Sequence, residues 1–87
     1  MGNAIQVDPE GPVIEVSYLA DRFGLSQDAF MDLLRRGLVR SRVEIGIGED
    51  EGTKRLTVRI GNRQWVAVMD THDCILSEET RFTTSRR

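Results

Sequence analysis

The sequence predicts an α+β fold in which two short helices pack on one face of an antiparallel β-meander, in the order β-α-α-β-β-β. Three observations predict it. Apolar residues recur with helical spacing between Leu19 and Leu34, the period changes to alternation from Leu38 onward, and glycine-containing turns cut the alternating half into segments of strand length.

Met1 to Gly11 is polar and carries Asp8-Pro9 and Gly11-Pro12 breaks, so residues 1–11 read as a flexible arm before a single domain over residues 12–77. Val13, Ile14 and Val16 suggest a short first strand. Ser17 is placed to N-cap a helix through Leu19, Ala20 and Phe23, with Gly24 as its left-handed stop. Ser26 caps a second helix, whose first turn holds Gln27 and Asp28 and whose last turn holds Arg35 and Arg36 before Gly37. Phe30, Leu33 and Leu34, with Ala29 beside them, form its apolar stripe.

In the next segment Val39, Val43, Ile45 and Ile47 face one way and Arg40, Arg42 and Glu44 the other. After the loop Glu49-Asp50-Glu51-Gly52, Leu56, Val58 and Ile60 alternate with Arg55, Thr57 and Arg59. The two apolar sets share a face when an odd position pairs with an even one, and closing the loop at Gly48 and Thr53 opposes Val43 to Val58 and Arg42 to Arg59. The following turn is either Gly61-Asn62 or Asn62-Arg63. A two-residue turn sends Trp65, Ala67 and Met69 to the core and leaves Val66 and Val68 outside; a three-residue turn puts Trp65 beside Arg55 and Arg59. Asp70 to Asp73 is a further turn, Cys74, Ile75 and Leu76 are suited to a short last strand, and residues 78–87 read as a flexible tail.

Eighty-seven residues suffice for one small core and not for a cleft between two lobes, which favours a binding module over an enzyme. The net charge of −2 hides an uneven distribution: between Arg35 and Arg63 eight basic residues face four acids, three of them together in one loop. Cys74 is the only cysteine, so no internal disulfide is available, and the absence of a signal peptide points to a cytoplasmic location. No apolar run approaches the ~18 residues of a membrane span. Gln6 stands where a myristoylation signal needs Ser or Thr, so no membrane anchor is expected.

Leu19 to Gly37 has the outline of a helix-turn-helix, with Ala20 as the small residue, Gly24 in the turn, and Phe30 and Leu33 buried. Its exposed positions would be Gln27, Asp28, Met31, Asp32 and Arg35, and two carboxylates against phosphate rows oppose binding. A second route to nucleic acid is the basic stripe Arg40, Arg42, Arg55, Arg59 and Arg63, with Trp65 as the one stacking platform on the strands. The plainer reading is a solvated face whose arginines discourage edge aggregation. A third possibility is protein association, including a homodimer, through Val66 and Val68, unless the C-terminal segment folds back over them.

Metal, cofactor and catalytic readings find little support. His72, Asp73 and Cys74 lack a second cysteine or histidine for a zinc site, and no third group is evident to orient a Cys-His pair. Cys74 reads as a small buried residue in or after a turn. The loop acids lack calcium-loop spacing, and no helix follows Gly46, Gly48 and Gly52 as a phosphate-binding loop requires. No cofactor, metal ligand or catalytic residue is therefore assigned.

The segment from Leu34 to Asp70 resembles a family of small uncharacterised proteobacterial proteins, a domain of unknown function. The likeness rests on Arg36-Gly37, Arg42-Val43-Glu44, Gly48-Glu49-Asp50-Glu51-Gly52 and Arg55-Leu56-Thr57, and extends from Val13 to Ile75. It implies a bacterial cytoplasmic protein of one domain and brings no catalytic residue, ligand or partner. The expectation is a non-enzymatic regulatory or accessory module that binds a protein or itself through Val66 and Val68. The alternative is nucleic-acid binding through Arg40, Arg42, Arg55, Arg59 and Trp65, or through the helix-turn-helix-like pair.

Overall fold

A computed structural model of the chain describes residues 4–6 and 13–82. Strand β1 (Ala4–Gln6) pairs antiparallel with β2 (Val13–Glu15), placing Ile5 opposite Ile14. Part of the expected loose arm is therefore a paired strand, and the rest of it lies outside the described residues. Helix α1 (Val16–Arg22) starts directly after β2 and is capped by the extended backbone of Glu15, not by the side chain of Ser17. The cap moves upstream because Val16 is fully buried as the first helical residue, which puts Ser17 inside the first turn.

Gly24, at φ 69°, adopts the left-handed conformation that a Cβ would strain, and the Leu25 amide turns back onto the Ala20 carbonyl at 2.8 Å. Helix α2 (Gln27–Arg35) is capped as the sequence predicts: Ser26 Oγ accepts from the Ala29 amide at 3.1 Å.

Four antiparallel strands follow in the order β3 (Val39–Ile45), β4 (Lys54–Ile60), β5 (Arg63–Met69) and β6 (Ile75–Phe82). The parity of the β3–β4 pairing matches expectation and the register does not. Val43 lies opposite Leu56 and Arg40 opposite Arg59, because the Gly46 amide closes the loop on the Thr53 carbonyl and a single 3-10 turn at Gly48–Asp50 takes up the remaining residues. Gly61 and Asn62 form a two-residue turn, with positive φ at Gly61 alone, the type II′ pattern. That turn decides the facing of β5 and sends Trp65 inward.

The last strand is longer than expected. Residues 78–82 are the second half of β6, paired along β5 with an irregularity at Val68/Met69, and residues 83–87 lie outside the described residues. No apolar pattern announces this strand, since every residue of β6 is exposed to some degree.

Leu19, Ala20, Phe23 and Phe30 from the helices meet Leu56, Val58, Trp65, Ala67 and Met69 from the sheet, all essentially fully buried. Withdrawing an indole of roughly 200 Å² from water contributes about 5 kcal/mol before entropic losses, so Trp65 dominates this small core. Tyr18 meets it edge-on with ring centroids 6.0 Å apart. Arg63 donates to the Phe23 carbonyl at 2.7 Å, placing a cation at the negative end of α1 and tying that end to β5. The helices are too short to cover the whole apolar face: Val39 and Val43 pack against the core, whereas Ile45 and Ile47 remain 67% and 81% exposed.

Candidate anion-binding face

The sheet's second face carries no helix among the described residues, and the four-strand register arranges its side chains in rows. Arg40 of β3 faces Arg59 of β4, which faces Gln64 of β5, which faces Arg81 of β6. The next row is Arg42, Thr57, Val66 and Glu79, and the third is Glu44, Arg55, Val68 and Ser77. Neighbouring strands stand about 4.8 Å apart, so the first row spreads three guanidinium groups and one amide over roughly 14 Å.

The ion pairs divide this face. Glu44 lies 3.7 Å from Arg42 and 3.5 Å from Arg55, so it neutralises the third-row end. Arg81 reaches along its own strand to Glu79 at 2.5 Å. Arg40 makes no ion pair among the described residues, and Arg59 spends its Nε–H on the Gly61 carbonyl at 2.8 Å, which fixes the guanidinium without cancelling its charge. Directly opposed like charges on adjacent strands destabilise a sheet, so the Arg40–Arg59 pair is a local excess of positive potential. These rows line a concave trough of about 700 Å³ that reaches Gly37 and Leu38 at one end.

The structure thus gathers Arg40, Arg42, Arg55 and Arg59 on one face, but Trp65 is removed from the candidate nucleic-acid residues. It is fully buried on the opposite face, with Nε1 donating to Glu78 at 2.8 Å, because the two-residue turn fixes its parity. The protein-interaction candidates Val66 and Val68 do lie on the outer face. Val66, however, is only 8% exposed and Val68 half-buried, because β6 pairs beyond β5 and makes β5 an interior strand flanked by longer side chains. Arg81 and Gln64 escaped the sequence reading; their signal is the register, legible only once a full β6 is added. Arg63 leaves the basic stripe, since it faces the helices.

The outer surface of α2 is not comparably cationic. Asp32 holds both Arg35, at 3.6 Å, and Arg36, at 3.3 Å, while Asp28 stays exposed. In the turn after β5, Asp70 Oδ1 accepts from the amides of His72 and Cys74 at 2.8 and 3.0 Å, hydrogen bonds that lower the carboxyl pKa. Cys74 is exposed, contrary to its reading as a buried residue, because it lies in the turn between β5 and β6 and not in a strand facing the core. Among the described residues no three His, Cys, Asp or Glu side chains come together as a metal site, and no helix is long and apolar enough to cross a membrane.

A family model described as a family of unknown function (DUF6522) matches residues 1–87. The chain belongs to this family. The match extends the resemblance drawn from Val13 to Ile75 over the whole sequence. Comparisons with curated proteins and with solved structures find no match. DUF6522 membership brings no site residue with it, so the arginine rows are interpreted from their geometry.

Proposed function

We propose that this DUF6522 chain is a non-enzymatic binding module that holds the phosphate backbone of a nucleic acid against its outer sheet face. One observation carries the reading: the row Arg40, Arg59, Gln64 and Arg81 spans all four strands with no carboxylate in it. The fold opposes two arginines across a strand pair and leaves their charge unsatisfied, an arrangement that an anionic ligand would stabilise. The net charge of −2 does not oppose this, since Asp21, Asp28, Asp32, Glu49 and Glu51 lie away from the rows. The outer rows contain no aromatic side chain, so the contacts expected are to phosphates and carry no base sequence.

The test is fluorescence anisotropy of a labelled mixed-sequence DNA duplex titrated with the protein over a series of salt concentrations. Five arginines against Glu44 and Glu79 leave about three net positive charges, so log K should fall against log salt with a slope of about −3, and affinity should be weak, in the range of about 10⁻⁴ to 10⁻⁶ M. No binding at low salt overturns the reading. Equally strong competition by polyglutamate at matched charge would transfer the face to an acidic protein partner.

A further inference from the structure

We infer that β3 is a self-association edge, and that two copies of the chain join antiparallel through it, with Val43 on the two-fold axis. The inference is independent of what the outer face binds. β3 is one of the two edges of the sheet, has no proline and pairs with β4 without a bulge, so it lacks two of the usual devices that blunt an exposed edge.

The backbone restricts the available registers. The Gly46 amide bonds to Thr53, directly opposite, and antiparallel pairs alternate between bonded and non-bonded, so the even positions of β3 bond to β4 and Val43 and Ile45 present their amides outward. An odd position of one copy must then meet an odd position of the other. The charges choose among the registers that remain. A two-fold at Ser41 opposes Arg40 to Arg42, one at Arg42 opposes that arginine to itself, and one at Glu44 opposes two carboxylates. Centring on Val43 sets Arg42 against Glu44 of the second copy on both sides of the axis and opposes no like charges.

The same register accounts for the apolar residues that the helices leave uncovered. Val43 meets Val43, and Ile47, which is 81% exposed, moves beside Val39 of the second copy on the helix-bearing face. Ile45, at 67% exposure, comes into the same seam opposite Ser41 of the second copy. The product is one eight-stranded sheet with two arginine rows on a continuous outer surface.

Sedimentation of the full chain tests this, and because a strand-sized interface is small, the range should run from about 10 μM to about 1 mM. Mass rising toward that of a dimer is expected, together with slower amide exchange at Val43 and Ile45 as concentration increases. Ile45→Lys and Arg42→Glu should each weaken association by about tenfold or more, since the two-fold doubles every effect. Combining Arg42→Glu with Glu44→Arg, and with Arg55→Glu to keep the cross-strand pair within each copy, should restore it. A monomer at the highest concentration overturns the inference, as does a dimer indifferent to Ile45→Lys or one that the combined exchange fails to rescue.

Discussion

Trp65 and Glu78 meet diagonally across the last strand pair, where the buried indole donates its Nε1–H to the carboxylate at 2.8 Å. The same carboxylate accepts from the Tyr18 hydroxyl and lies 3.7 Å from Arg22, so one side chain on an otherwise exposed strand joins α1, the core and β6. Replacing Glu78 by Ala strands a buried donor and should cost about 1–3 kcal/mol in urea unfolding, whereas Glu78→Gln retains an acceptor and should cost less.

The same contact sets a pH dependence. Hydrogen bonds from Tyr18, then from Trp65, with Arg22 nearby, hold the Glu78 pKa below its ordinary value against the opposing effect of burial. A depressed carboxyl binds protons more weakly folded than unfolded, so its stabilisation is present above the unfolded value and is lost as pH falls through the folded one. Tm should decline below about pH 5, and Glu78→Gln should remove part of that slope. Burial, then the bond to Glu78, raises the Tyr18 pKa, and its contribution should hold below the ordinary tyrosine value and fade as pH rises through the folded one. Thermal melts of wild type and Glu78→Gln across both ranges check the two signs.

Arg40→Ala and Arg59→Ala should separate binding from stability. Each should weaken duplex binding and reduce the salt slope by about one. Each also relieves a like-charge cross-strand pair, so urea midpoints should stay level or rise by the equivalent of about 0.2–1 kcal/mol. A fall in midpoint matching the loss of affinity would make these arginines structural.

Trp65→Phe tests the facing of β5. It removes a buried hydrogen bond and part of a buried ring, so a loss of about 1–3 kcal/mol is expected. Affinity for DNA measured on the remaining folded protein should be unchanged, since the indole and the arginine rows occupy opposite faces.

Gly61→Val should destabilise by about 1–2 kcal/mol or more, because the left-handed conformation at φ 61° crowds a β-branched side chain. Tryptophan emission should shift toward the red if the strained turn loosens the seat of Trp65.

Much of this architecture was legible because side-chain alternation fixes parity even where register is uncertain. Leu56 and Val58 could be placed inward from their spacing, and Arg40, Arg42, Arg55 and Arg59 outward by the same rule, whereas Ala67 and Met69 waited on the length of the Gly61-Asn62 turn. Register depends on the residues that the loop absorbs, and the 3-10 turn at Gly48–Asp50 shifted it by two positions. β6 was not legible beyond its first residues. Its Ser-Glu-Glu-Thr-Arg run has the composition of a tail, and what holds it is a long-range contact between Glu78 and two aromatic residues. Arg81 and Gln64 were missed for that reason, and with them the completed row.

The bond from Arg59 Nε to the Gly61 carbonyl makes the turn and the arginine row parts of one lever. The guanidinium that the outer face presents is thus held by a residue of the turn that decides which way β5, and with it the chain's single indole, faces. An anion that draws the Arg59 guanidinium away from this bond should therefore shift the emission of Trp65, although the two side chains lie on opposite faces of the sheet.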